Sequence, residues 1–258
     1  SRPRTARRAS RPHPDPRLPA GMAAQEDLAR ALAEAYIAGG PSQELVELAP
    51  LEAMLYEDHD LNLAKAASRG QRTREGLTSS TLTYGEILFL PFAAVLRSVQ
   101  DAGYLDASTA GSAKFVDVGC GSGRPVFAAA LVLDGFREFL GIEILSDLHH
   151  ICEQVRHKWN SQVRDLVPEA RQAAEVSFVL GDACELDWSD ADLVFMNSTC
   201  FGDELLLRLS RVAEQLRPGA VVITTTRRLP SDAFRLLQQT KMGETWGDAT
   251  LFVQQRSS

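Results

Sequence analysis

From residue 115 onward, short apolar runs alternate with longer segments of helical period. The runs at 115–118, 139–143, 176–180, 192–196 and 220–226 have the length and composition of buried strands. Between them, 126–133, 146–163 and 204–216 read as helices. The second of these puts Leu148, Ile151, Cys152, Val155 and Trp159 on one face. Strand and helix repeated in this way predict a doubly wound α/β sheet, with the run at 192–196 near its centre. A last stretch, Thr245-Trp246-Gly247 and then 249–253, predicts a closing hairpin or edge pair.

Ahead of residue 115 the pattern changes. Residues 23–38 are alanine-rich, with Leu28, Ala31, Leu32, Ala35 and Tyr36 at helical spacing, and Gly39-Gly40-Pro41 stops them. Ser42 caps a second helix, which Pro50 interrupts and 51–56 continue. Residues 64–83 are polar and read as a long loop, a feature that is often functional in a compact domain. The loop ends in Thr83-Tyr84-Gly85-Glu86, followed by an apolar helix at 87–99 in which Pro91 marks a kink or the true first turn. Residues 1–21 carry six arginines, five prolines and one acid. Nothing there forms a core, so disorder is expected. A solvated tail, a basic arm for an acidic partner and an organelle transit segment all fit them. Three regions follow: a disordered basic tail (1–21), a helical region with a cofactor-covering loop (22–110), and a sheet-based core (111–258).

The candidate chemistry centres on Phe115-Val116-Asp117-Val118-Gly119-Cys120-Gly121-Ser122-Gly123-Arg124-Pro125. An apolar strand meets three glycines at every second position, then a proline suited to a first helical turn. The small residues let a ligand approach the backbone closely. A dinucleotide site wants G-x-G-x-x-G with a pyrophosphate at the helix N-terminus. Here the third glycine comes one residue early, and Asp117 would repel a pyrophosphate. S-adenosylmethionine has an ammonium, a sulfonium and a ribose diol, and no phosphate, so it suits this loop better. Glu143 ends the run at 139–143, 20 residues past Gly123, where a carboxylate can accept from ribose hydroxyls. Gly181-Asp182-Ala183 follows the run at 176–180. Asp182 there is either an adenine acceptor or an ordinary turn aspartate. Asn197 stands at the tip of the central run and brings donors and acceptors, and Asp203 is placed to cap the helix at 204–216.

Composition narrows the remaining classes. The net charge of −7 argues against a nucleic-acid binder, the arginine tail excepted. The four cysteines show no C-x-x-C spacing, so neither a disulfide framework nor a zinc site is expected. They suit a reducing, intracellular location, nuclear or cytoplasmic. His59, His149 and His150 lack partners at ligand spacing, and no metal is expected. No run approaches the roughly 18 apolar residues that span a bilayer. The chain opens on Ser1, which suits a fragment or a processed product.

Four segments taken together resemble a known family: Thr83-Tyr84-Gly85-Glu86, the glycine loop, Gly141-Ile142-Glu143, and Asn197-Ser198-Thr199-Cys200-Phe201-Gly202. In this order they are similar to the disruptor-of-telomeric-silencing (DOT) type of histone lysine methyltransferase, which has no SET domain. The resemblance covers about 81–256. It implies a class I methyltransferase fold, Rossmann-like with a seven-stranded sheet, here with an N-terminal helical appendage. It also implies S-adenosylmethionine as cofactor, and a protein lysine, with a histone among the candidates, as acceptor. Tyr84 and Glu86 would lie near the methionine moiety. Asp117, Gly119, Gly121 and Gly123 would hold its amino-acid end, and Arg124 stands where the family has a glutamine. Glu143 would bind the ribose, and Asp182 with Ala183 the adenine. Asn197, Tyr84 and Phe201 would orient the target nitrogen, and Asn197 would also contact the cofactor. The chain departs from the family at Ser198, where a second asparagine is usual, and at Thr250, in the place of a channel tyrosine; Trp246 keeps its place. A small-molecule acceptor and a cofactor-binding protein without turnover are the alternatives.

Overall fold

The computed structural model describes residues 42–77, 82, 85–105, 111–244 and 247–257. Its strands are β1 (Ala113–Val118), β2 (Phe136–Glu143), β3 (Glu175–Leu180), β4 (Leu193–Met196), β5 (Val221–Thr225), β6 (Phe234–Glu244) and β7 (Gly247–Arg256). They form one seven-stranded sheet in the order β3-β2-β1-β4-β5-β7-β6. The first five run parallel to their neighbours, and β7 lies antiparallel between β5 and β6. β4 is the middle strand, as the run at 192–196 predicts. The chain order reverses between β1 and β4, and ligands bind such sheets at that switch point, outside the carboxyl ends of the strands.

Alternation along each strand divides the core into two layers. Phe115, Phe139 and Phe195 face one side, where they join the helices α3 (Phe89–Asp101), α4 (Arg124–Val132) and α5 (Ser146–Lys158). Val116, Val194 and Met196 face the other and pack on Leu206 and Leu209 of α7 (Asp203–Ala213). Phe127 of α4 joins several elements at once, with ring centroids 6.2 Å from Tyr56, 5.9 Å from Trp159 and 5.6 Å from Phe178.

The N-terminal appendage is helical. α1 (Gln43–Leu55) starts at Ser42, whose hydroxyl accepts from the Leu45 N–H, as the sequence predicts. Pro50 does not interrupt it. The residue is exposed, so the carbonyl left without a partner one turn earlier can be hydrated. Glu44 fastens α1 to the core, because Arg97 of α3 and Arg171 of α6 (Glu169–Gln172) both pair with it and both hold Asp134.

The expected loop at 64–83 is largely wrong. Leu61–Arg74 forms α2, capped by Asp60, whose carboxylate accepts from the Leu63 N–H at 2.8 Å. Its inner face is Ala64, Ser68 and Gln71, too small and polar to register as an apolar stripe. Gln71 accepts from the Asp147 N–H, and Arg74 pairs with Asp147, which ties α2 to the start of α5. Three smaller differences concern helix ends. α3 begins at Phe89 with Pro91 in its first turn, where no N–H is missed. α5 passes into a π-turn at Trp159–Val163. Asp203 is the first residue of α7 and not its cap, which is Gly202 with no side-chain bond. The expected tail at 1–21, the helix at 23–38, and Tyr84 and Trp246 lie outside the described residues. No helix among the described residues is long and apolar enough to cross a membrane.

One position shows how tightly the sheet is packed beneath the glycine loop. A Cβ on Gly141 of β2 would stand 2.5 Å from Phe178 Cδ1 and 2.8 Å from Cys120 Sγ. Gly141→Ala should therefore cost about 1–3 kcal/mol of stability in chemical denaturation, the usual penalty of overpacking. Adding Phe178→Leu should recover part of the loss.

Candidate active site

The tips of β1, β2 and β4 open into a cavity of about 700 Å³. Asp117, Gly119, Gly121, Arg124, Glu143, Asp182, Ala183, Asn197, Phe201 and Glu86 all line it. The sequence thus names much of the lining from five separated segments. Gly123 does not line it. This residue is the N-cap of α4 at φ 85°, and a Cβ there would meet Phe178 at 2.8 Å, so its role is to turn the chain and allow close packing. Pro125 is the second residue of α4, after Arg124.

Asp117 is the unusual group. It is 1% exposed, and neither carboxylate oxygen has a hydrogen-bond partner among the described residues. Burial, and then the charge of Glu143, hold its carboxyl well above the ordinary carboxylate range. A buried acid with open lone pairs at the floor of a cavity is suited to receive a cation.

Glu143 is satisfied in a different way. One oxygen accepts from the Gly121 N–H at 2.8 Å, and the other from Ile144 and Leu145 at 2.9 and 2.8 Å. Burial still raises its carboxyl to about 6, against the pull of these three N–H groups. The carboxylate therefore braces the glycine loop while facing the cavity.

Glu86 is buried and accepts from the Ser122 hydroxyl at 2.9 Å and from Arg124 Nε at 2.8 Å. Arg124 also pairs with Glu52, and its guanidinium lies 3.8 Å over the Tyr56 ring. Sequence reasoning missed Glu52 and Tyr56, which carry no local signal. Asp182 accepts from the Cys184 N–H at 2.8 Å and pairs with Arg208 at 3.3 Å, so turn aspartate and cavity wall are both true of it.

On the opposite wall, the Asn197 amide oxygen accepts from the hydroxyls of Thr225 at 2.8 Å and Thr199 at 3.2 Å. That leaves its NH2 for the cavity. Phe201 reaches over the glycine loop, with Cζ 3.5 Å from the place of a Cβ on Gly119. Thr226, just past β5, holds a left-handed φ of 62°, a strained state for a β-branched residue. Its N–H is taken by the Thr250 carbonyl, and its hydroxyl meets that of Thr199.

Residues 70–245 match the family described as histone methylation protein DOT1. The chain belongs to the DOT1 family. It has the fold that the sequence predicts, a Rossmann-like class I methyltransferase sheet, and the family is one of S-adenosylmethionine-dependent methyltransferases. A histone-lysine N-methyltransferase of Dictyostelium discoideum, H3 lysine-79 specific, is 31% identical over 136 residues. That stretch is 52% of this chain and only 7% of the relative, so the chain spans a small part of its length. Among solved structures, an RNA methyltransferase from Salinibacter ruber in complex with S-adenosyl-L-homocysteine is 24% identical (TM-score 0.43, 64% of this chain and 91% of that one). Magnesium protoporphyrin IX methyltransferase from Synechocystis PCC 6803 is 13% identical (TM-score 0.47, 90% and 97%).

The two buried carboxyls of this DOT1-family site make the ligand-free protein sensitive to pH. Asp117 and Glu143 keep protons in the folded chain at pH values where the unfolded chain has released them. The stability this confers is complete below about pH 4 and is lost as pH rises through the folded values. Glu143's share is spent by about pH 6, and burial gives Asp117 a contribution of the same sign. Melting temperature should fall over this range in the absence of ligand. Asp117→Asn should make the fall shallower and leave the share that belongs to Glu143.

Proposed function

We propose that the chain methylates a lysine side chain of a basic protein, with a histone as the first candidate. The observation that carries this reading is Asp117, a buried carboxyl with no hydrogen-bond partner among the described residues, beneath a loop of small residues. It fits the ammonium of a phosphate-free donor and would oppose a diphosphate. When bound, S-adenosylmethionine supplies a methyl group on a positively charged sulfur.

The protein's residues would share the remaining work. Asp117 would hold the ammonium, with Gly119 and Gly121 close to the amino-acid end. Arg124 offers a cation to its carboxylate, and Glu86 keeps Arg124 in place; Tyr84 belongs to the same group by its sequence. Glu143 would accept from the ribose hydroxyls with its remaining lone pairs, and Asp182 and Ala183 would flank the adenine. Asn197 and Phe201 face the acceptor side. The amine must be neutral to attack, and a channel that excludes water lowers its pKa. Alignment by the Asn197 NH2 and the Phe201 ring then matters more than a strong base.

The rim on the Phe201 side carries Asp203 and Glu204, at the first turn of α7. Arg227 pairs with Asp203, which leaves Glu204 and the chain's net charge of −7 to favour a basic segment over an acidic metabolite. A histone acceptor would also place the chain in the nucleus.

Two measurements test the reading. S-adenosylhomocysteine should bind in calorimetry with proton release, and affinity should rise with pH, because Asp117 must lose its proton to receive the ammonium. Absence of binding would end the proposal. Turnover should then appear with histones or lysine peptides; turnover only with a metabolite extract would move the acceptor to a small molecule. Asn197→Ala should lower kcat by about 100-fold and leave homocysteine-product affinity within about twofold, since it removes alignment and not the donor's holders.

A further inference from the structure

The segment that carries Glu52 and Tyr56 lies ahead of the residues that match the family, 70–245. It nonetheless reaches the middle of the glycine loop. The Tyr56 hydroxyl donates to the Ser122 carbonyl at 3.1 Å, in a buried contact between positions 66 residues apart. Its ring lies under the Arg124 guanidinium and edges against Phe127. Glu52, one turn earlier, pairs with Arg124 from the other side. Both carboxylates on Arg124 are largely buried, with side chains 13% exposed at Glu52 and 4% at Glu86.

We propose that Tyr56 is a positioning residue of the donor site, acting through the Ser122 carbonyl and the Arg124 guanidinium. α1 is then part of the site and not an appendage to it. The geometry gives each contact a purpose. Ser122 stands between Gly121 and Gly123, both in left-handed conformations, so its peptide groups could turn easily without an anchor. Glu86 fixes the Ser122 side chain from one direction, and Tyr56 fixes its carbonyl from another. The ring keeps Arg124 flat against α1, where its planar charge meets both carboxylates. α1 can bear this duty because it is itself immobilised, by buried Leu45, Leu48 and Leu55 and by the Glu44 ion pairs.

The proposal rests on the donor-site reading above, and the test separates the two. In the full chain, S-adenosylhomocysteine affinity is measured by calorimetry, and apo melting temperature by scanning calorimetry, for the native protein, Tyr56→Phe and Tyr56→Leu. Phe keeps the ring and deletes only the hydroxyl, so it isolates the Ser122 contact. Affinity should fall about threefold to tenfold in Tyr56→Phe, the range of one buried hydrogen bond, and further in Tyr56→Leu. A merely structural tyrosine would lower the melting temperature and leave affinity unchanged in Tyr56→Phe, which overturns the proposal. If Tyr56→Leu does not fold, the Phe variant decides alone. Failure of the native protein to bind would overturn the donor-site reading itself, and the role of Tyr56 with it.

Discussion

The glycine loop is held at every residue, by ties to several different elements. The N–H groups of Gly119 and Cys120 both donate to the Ile142 carbonyl of β2. Gly121 donates to Glu143, and its carbonyl accepts from the Cys152 thiol of α5 at 3.0 Å. Ser122 is tied to Glu86 and Tyr56, and Gly123 donates back to the Cys120 carbonyl at 2.8 Å. A loop with three left-handed residues would otherwise be among the most mobile parts of the chain. Anchored like this, it presents a fixed surface above Asp117, and the cost of ordering it is met in folding and not in binding.

This fixity explains why the unfavourable features of the site can persist. A buried carboxyl without a partner and a left-handed threonine each oppose folding. Both lie at strand tips, Asp117 in β1 and Thr226 just past β5, next to the fully buried Phe115 and Ile223. The rigid sheet holds them where a relaxed loop would let them escape. Asp117 faces the cavity and Thr226 follows a strand, while the strands beneath are close-packed, as Gly141 against Phe178 shows.

Local motifs made much of this visible before any coordinates. Strand, glycine loop and helix follow each other within about a dozen residues, so β1, Asp117 and Gly119 could be read from pattern alone. Glu143, Asp182 and Asn197 could be read because parallel strands end at one edge of the sheet, and a residue just past a strand therefore belongs near the others. α2 could not be read, since its buried face is alanine, serine and glutamine and its stability comes from caps and polar ties to α5. Asp60, directly ahead of Leu61-Asn62-Leu63, is the local cue to its start. Glu52 and Tyr56 were missed for a similar reason. Their partners are Arg124 and the Ser122 backbone, and no spacing in the chain announces a contact between α1 and that loop.

The wall that carries Asn197 illustrates how a departure from a family pattern can take a structural place of its own. Ser198 stands where a second asparagine is usual, which on sequence alone suggests a weakened site. The structure turns this residue inward: Ser198 is fully buried and donates its hydroxyl to the Thr225 carbonyl at 2.6 Å. Thr225 in turn donates to the Asn197 amide oxygen, so the serine supports the strand tip that orients Asn197. An asparagine is larger than the space a serine fills in a buried corner, and its extra donors would need partners there. The second position thus acts on the inside of the wall, while Asn197 and Phe201 face the cavity, where under the proposed function an acceptor would meet them.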